Sequence, residues 1–178
     1  ADNFVYNVLN NTNFDDITKE ELIMKGVQYQ NVWMYVIHEL EDAIQDCISG
    51  DLTNNDGGVH AWDEGWAFYT GSLEDGTGSG LLGYALAEKR CKNFGTCTNT
   101  ISKVNEYLLE LYKQGSAKLQ SGKCHEVYII INEIIKYNTI PLIQGLLRYV
   151  YKSDPYGGNG GSKEIAEGCA FARSVLLQ

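Results

Sequence analysis

The sequence predicts an all-α fold, a helical bundle of about five to six helices built from a duplicated helix–loop–helix unit. Apolar residues recur at intervals of three and four through most of the chain, which is the periodicity of an amphipathic helix. Short stretches rich in glycine, aspartate and asparagine separate these segments, as expected for connecting loops. Two parts of the chain also resemble each other, which favours duplication of one unit. At this length we expect a single helical domain over residues 1–178.

The first predicted helix follows an irregular lead-in over residues 1–16, which is rich in asparagine and aspartate. It runs from Thr18 to about Ser49, with Gly26 as a weak point. Its apolar stripe consists of Trp33, Val36, Ile37, Leu40, Ala43, Ile44, Cys47 and Ile48. A continuous stripe of this kind predicts that one side of the helix packs into a core.

A second helix begins after the loop Gly50–Gly58 and extends to about Glu74. Its apolar stripe consists of Val59, Trp62, Trp66, Tyr69 and Leu73. The favoured interpretation is that these side chains belong to the core. The alternative is a docking face for a partner or a second copy of the chain, because tryptophan and tyrosine dominate binding hot spots.

The remaining helices are predicted from the same periodicity. They cover about residues 81–92, 98–120, 125–152 and 162 onward. Gly115 is a weak point in one of them. Pro141 lies in the middle of another and should kink it, because proline lacks a backbone donor.

The internal duplication rests on one ungapped match. The segment EGWAFYTGSL, Glu64–Leu73, aligns with EGCAFARSVL, Glu167–Leu176. The same offset superimposes the glycine-rich loops and the long helices that precede them. We therefore predict an internal repeat of roughly residues 27–74 and 124–177.

Candidate metal ligands are concentrated in the first copy. His60 and Glu64 are four residues apart, so they lie one above the other on a helix face. His38 and Asp42 repeat that spacing on the preceding helix, and Asp63 lies beside Glu64. Pairs of this kind can direct an imidazole and a carboxylate at one ion. The alternative is that acids around an exposed histidine only cap and solvate the helices.

The second copy lacks the histidine. The alignment places Asp154 on Asp51, Lys163 on His60 and Glu167 on Glu64. A metal centre would therefore belong to the first copy, with Glu167 as a further ligand across a pseudo-twofold axis.

Charge and hydropathy exclude some classes of function. The formal net charge is −9 and the basic residues are scattered, so a nucleic-acid partner is not expected. No apolar run reaches the roughly 18 residues that a membrane-spanning helix needs. An acidic protein instead attracts cations and basic partners.

The five cysteines indicate an oxidising compartment. Cys91 and Cys97 bracket a short loop and are predicted to form a disulfide. Cys47, Cys124 and Cys169 remain, and an odd total leaves at least one thiol unpaired. Because stable disulfides persist outside the cytoplasm, we expect an extracytoplasmic location, periplasmic or secreted.

The stretch HAWDEGWAFYTGSLE, residues 60–74, resembles the algal iron-assimilation proteins, a low-iron-inducible periplasmic family. That resemblance implies iron acquisition outside the plasma membrane by a protein that binds iron and is not an enzyme. It carries over to His60, Asp63 and Glu64 and to the aromatic residues of the same stretch, Trp62, Trp66, Phe68 and Tyr69. It does not extend to His38 or Glu167.

We therefore expect an extracytoplasmic iron-binding protein, with manganese or zinc as chemical alternatives. Its partners would be the metal ion, a membrane iron transporter or reductase, and a second copy in a homo-oligomer. Two other functions stay open. One is a metal-dependent hydrolase or di-iron-type oxidase, although each histidine here precedes its acids instead of following them. The other is a metal-free helical interaction module.

Overall fold

The computed structural model describes residues 2–53, 55–71, 80–158 and 160–176, and it confirms the all-α fold. The helices are α1 Asp2–Asn10, α2 Asp16–Gly26, α3 Val32–Ser49, α4 Gly58–Thr70, α5 Gly83–Phe94, α6 Lys103–Gln120, α7 Cys124–Ser153 and α8 Ser162–Leu176. A π-helical turn, Val27–Asn31, joins α2 to α3. The strands β1 Cys97–Thr98 and β2 Ile101–Ser102 form a small antiparallel hairpin.

The prediction of an irregular lead-in was wrong, because α1 is a helix. Val8 on α1 is buried in a cluster with Leu22 of α2 and with Ala166 and Ala170 of α8. Asparagine and aspartate lower the intrinsic preference for a helix, and this concealed a short apolar face that tertiary packing stabilises.

The first long helix starts slightly before its predicted position and is not broken. The carboxylate of Asp15 accepts a hydrogen bond from the backbone N–H of Thr18 at 2.6 Å and so caps the start of α2. At the predicted weak point, Gly26, the chain passes into the π-helical turn and continues as α3. A Cβ on Gly26 would lie 2.9 Å from the ring of Phe4, so this glycine lets α1 approach closely.

The chain packs as two compact units. The terminal unit comprises residues 1–32 and 139–178, and the central unit comprises residues 33–138. The domain boundary 1–178 and the internal repeat stay predictions. One local feature of the repeat is visible: the carboxylates of Asp51 and Asp154 each accept a hydrogen bond from the backbone N–H two residues ahead. Both loops therefore begin with the same kind of Asx turn.

The core of the central unit is built around Trp62, which is 1% exposed. Its indole N–H donates to the backbone oxygen of Tyr112 at 3.0 Å. Its ring lies against the backbone of α6, where a Cβ on Gly115 would be only 2.0 Å away. Gly115 is thus a point of close helix approach. Val59 and Tyr69 are buried as well, which confirms the core interpretation for these members of the α4 stripe. Trp66 is only partly buried, and Leu73 lies outside the described residues.

Two disulfides crosslink the central unit. The predicted bond between Cys91 and Cys97 is present, and a second bond joins Cys47 to Cys124. All five cysteines lie in the described part of the chain, and Cys169 in the terminal unit is the one free thiol. The expectation of at least one unpaired cysteine is confirmed.

No helix within the described ranges is both long and apolar enough to cross a bilayer.

Candidate metal centre

The candidate centre lies on the hairpin formed by α3 and α4 in the central unit. The ring of Tyr35 on α3 packs edge-on against Phe68 on α4, with ring centroids 4.7 Å apart. A Cβ on Gly65 would lie 3.3 Å from Leu40 and 3.6 Å from the Cβ of Glu39, so Gly65 allows a close approach. The two helices run antiparallel, since the start of α4 at Gly58 meets Ala43 while Phe68 near its end meets Tyr35. This arrangement places Glu39 beside the turn of α4 that carries Glu64.

Two imidazole–carboxylate pairs occupy this hairpin. The Nε2 of His60 is 3.6 Å from a carboxylate oxygen of Glu64, and both side chains are 44% exposed. The Nε2 of His38 is 3.4 Å from a carboxylate oxygen of Asp42, with side-chain exposures of 56% and 42%. Both predicted i, i+4 pairs are therefore formed, and their exposure leaves them accessible to an ion from solution.

Glu39 is the residue at this site that the sequence did not single out. It is 6% exposed, and its hydrogen-bond partner is the hydroxyl of Tyr35. Burial raises the pKa of its carboxyl above the ordinary value, and the negative charge of Glu64 raises it further. The pKa of Tyr35 is also raised, mainly by the charge of Glu39. The α3–α4 interface thus holds two carboxylates that repel each other, one of them poorly hydrated.

Asp63 lies on a different face of α4 from His60 and Glu64. It lines a cavity of about 370 Å³ between α4 and α6, whose walls also include Trp66, Tyr112 and Lys113. The structure therefore does not bring Asp63 together with the His60–Glu64 pair.

Glu167 belongs to the terminal unit, where it is 4% exposed. One of its carboxylate oxygens is 3.6 Å from the Nζ of Lys25, and Lys25 is also 4.0 Å from Glu21. The Nζ of Lys163 lies 2.9 Å from Glu21. Burial raises the pKa of the Glu167 carboxyl, and a hydrogen bond from Tyr149 partly opposes that shift. Glu167 is thus paired with an ammonium group of the chain itself, that of Lys25.

Within the described ranges, no three His, Cys, Asp or Glu side chains are arranged so that they could hold one metal ion in this conformation. Four of the six predicted ligands occur as two separate pairs, His60–Glu64 and His38–Asp42, and Glu39 lies between the two helices. A shared centre requires rotation of the exposed side chains, which their partial solvent exposure permits.

These observations define a class: a disulfide-bonded all-α protein that carries imidazole–carboxylate pairs on neighbouring helices. The chain belongs to the Fea1 family, described as low iron-inducible periplasmic proteins, because the family model matches residues 11–173. The resemblance seen in residues 60–74 is confirmed, and it extends over nearly the whole chain. Neither the curated proteins nor the solved structures give a match. A periplasmic family and two disulfides agree with an extracytoplasmic location.

Proposed function

We propose that the chain binds iron outside the plasma membrane and serves iron acquisition, using the exposed face of the α3–α4 hairpin. Membership of a low iron-inducible periplasmic family links the chain to iron supply. The observation that supports this particular site is the electrostatic conflict between Glu39 and Glu64 beside the His60 imidazole. A cation placed there would remove the repulsion between the two carboxylates and gain their charge.

The proposed ligands have distinct roles. His60 and Glu64 supply one nitrogen and one oxygen from a single helix face. Glu39 supplies a second carboxylate from α3, held by its hydrogen bond with Tyr35. His38 and Asp42 lie on the exposed side of α3 as a second, more accessible pair. Carboxylates with imidazole suit iron, manganese and zinc alike, so the family assignment and not the donor set favours iron.

Acidification should weaken binding. The ion requires neutral imidazoles and ionised carboxylates, and protons compete for both. The raised pKa of the Glu39 carboxyl means that this group takes up a proton at a higher pH than an ordinary glutamate. We therefore expect affinity to start falling at mildly acidic pH, which would allow release of the ion in an acidic environment.

We propose that the protein binds its metal and does not act as an enzyme. The support is the order of the donors: each histidine precedes its acids, whereas di-iron oxidases use Glu-x-x-His pairs. Dioxygen consumption by the iron-loaded chain is the test, and turnover above that of free iron would contradict this proposal.

A membrane iron transporter or reductase is the proposed partner that receives or supplies the ion. A homo-oligomer is tested by sedimentation with and without iron.

Isothermal titration of the full chain tests the binding proposal. Ferrous iron, ferric iron supplied as a weak chelate, manganese and zinc are titrated in turn, and we expect saturable binding with iron among the ions bound. Absence of heat above that of buffer for all four would refute the site. The third histidine, His125, makes no ion pair with any described residue, so the His125→Ala variant is the matched control and should bind like the parent.

A further inference from the structure

The terminal unit contains a cavity of about 660 Å³ that the proposed metal site does not use. It lies between α1, α2 and α8 and is open to solvent, and its lining residues include Phe4, Val8, Leu22 and Ala166. All four of these residues belong to, or pack against, the buried apolar cluster of this unit, so the cavity lies directly against the core. A cavity of this size falls within the range of small-molecule sites.

The polar part of the cavity is small, and the one charged side chain among its described lining residues is positive. Among the described side chains that line it, Arg173 is the only charged one. Its guanidinium lies 4.5 Å above the ring of Phe4 and makes no ion pair with any described carboxylate. In a chain of net charge −9, a cation without a carboxylate partner beside an apolar cavity favours an anionic ligand.

Uncharged donors complete the rim. Asn3 and Asn7 are four residues apart on one face of α1, Asn11 follows the end of that helix, and all three line the cavity. Each carboxamide offers N–H donors to oxygen atoms of a ligand. The thiol of Cys169, one turn before Arg173 on α8, also borders the cavity and is exposed.

We propose that this cavity binds a small amphipathic organic anion, with its apolar body on Phe4, Val8 and Leu22 and its carboxylate against Arg173. Apolar burial in the cavity supplies most of the affinity. The guanidinium supplies selectivity, because a hydrogen bond to a charged partner is stronger than one between neutral groups. The site is independent of the iron proposal, since none of its residues is a proposed metal ligand.

Decanoate is the probe, with decanol and decyltrimethylammonium as neutral and cationic matches of the same chain length. The readout is the rate at which Cys169 of the full chain reacts with a maleimide, since a ligand in the cavity covers this thiol. We expect decanoate to slow the reaction saturably, decanol to require about a tenfold higher concentration, and the ammonium compound to have no effect.

Two variants locate the anion preference. Arg173→Gln should weaken decanoate about tenfold, to the level of decanol, and leave decanol unchanged. Lys19→Gln removes one positive charge from α2 outside the cavity and should leave all three probes unchanged. The proposal is overturned by any of three results: no slowing of Cys169 by decanoate, equal potency of decanoate and decanol, or an Arg173→Gln variant that still prefers the anion. The first and second of these results are measured on the unmodified chain, so the proposal can be refuted even if a variant does not fold.

Discussion

The segment around His60–Glu64 and the segment around Lys163–Glu167 have the same sequence spacing and different electrostatics. Each begins a helix after a glycine-rich loop, α4 in the central unit and α8 in the terminal unit. In the first, the imidazole and the carboxylate are both 44% exposed. In the second, the Glu167 side chain is 5% exposed and Lys25 lies 3.6 Å from it. The Glu64 carboxylate is accessible to a cation from solution, whereas the Glu167 carboxylate is paired with Lys25 of the chain itself.

The electrostatic difference between the two segments follows from the lysine at position 163, where the first segment has His60, and from the groups around that lysine. A lysine at the histidine position carries a permanent charge, and Lys163 uses it to bind Glu21, which raises the pKa of the lysine. Two buried carboxylates and two lysines then form a closed network in the terminal unit. Even so, Oε2 of Glu21 and Oε2 of Glu167 are buried without a hydrogen-bond partner. The same helix–loop–helix pattern thus supports a salt-bridge network in one place and an accessible ligand pair in the other.

The largest expected effect concerns the two disulfides of the central unit, which the terminal unit does not share. The Cys47–Cys124 disulfide closes a loop with a sequence separation of 77, whereas Cys91–Cys97 spans only 6 residues. In the chain-entropy model these loops correspond to roughly 4–5 and roughly 2 kcal/mol of stability. We expect Cys47→Ser with Cys124→Ser to lower the free energy of unfolding by about twice as much as Cys91→Ser with Cys97→Ser, measured by urea denaturation. Equal losses would show that strain or residual structure, and not loop length, determines the effect.

The next effect tests the comparison itself. His60→Ala with Glu64→Ala should lower iron affinity at least roughly 100-fold, because even the outer-shell partners of metal ligands contribute roughly 10–100-fold. Lys163→Ala with Glu167→Ala, the aligned pair, should leave iron affinity unchanged. Isothermal titration of both double variants is the measurement. Comparable losses in both would mean that the second segment also contributes ligands.

A single exchange sharpens that test. His60→Lys installs the residue of the second segment at the aligned position, where its ammonium group can pair with Glu64. We expect the variant to lose iron binding as fully as His60→Ala does, because the added cation repels the ion. Retention of binding would assign the ion to His38 and Asp42 on α3.

A smaller effect is expected for the network in the terminal unit. Lys25→Met leaves Glu21 and Glu167 with less positive charge and should cost about 2 kcal/mol at neutral pH, less than a fully isolated buried charge because Lys163 remains. The folded-state pKa of Glu167 is already raised, so the carboxyl protonates readily as pH falls and the cost should shrink in acid. Lys19→Met is the control. A cost that is constant from neutral to acidic pH would contradict the electrostatic explanation.

The smallest effect is expected at Glu39. Its carboxyl pKa is raised in the folded protein, so the ionised form is disfavoured there. The penalty begins as pH rises above the ordinary glutamate pKa and is complete above the raised one. Glu39→Gln should therefore raise the melting temperature of the metal-free protein slightly at neutral pH. The gain should vanish below the ordinary glutamate value of 4.5. Iron affinity should fall in the same variant. A variant that is less stable at neutral pH would show that the Tyr35 hydrogen bond outweighs the burial cost.

Periodicity predicted the helices that hold the site, because apolar spacing is a local property. Trp62 and Tyr69 are buried as the α4 stripe requires, and the i, i+4 pairs form because a helix makes them neighbours. The short Cys91–Cys97 loop was predictable for the same reason. The Cys47–Cys124 bond was not, since only the tertiary fold brings those residues to a Cα separation of 5.7 Å.

The features of the site that the sequence did not predict depend on neighbouring residues from other helices. Glu39 lies at the edge of the α3 stripe, and only the packing of α4 through Gly65 shows that it is buried near Glu64. The burial of Glu167 likewise depends on α2, which supplies Lys25 and Glu21. A carboxylate at the edge of an apolar stripe, opposite a glycine on the next helix, was the one available signal for Glu39.

A substitution at Gly115 on α6 should affect the candidate metal site on α3 and α4, although Gly115 is not part of that site. A protein engineer working from helix preferences alone would replace it with alanine, expecting a gain of up to roughly 1 kcal/mol in α6. The added methyl group would collide with the indole of Trp62, which stands two residues from His60 on the same helix. The collision would displace the first turns of α4, which carry His60, relative to α3, which carries Glu39. A change meant to strengthen one helix would thus misalign the donors on another.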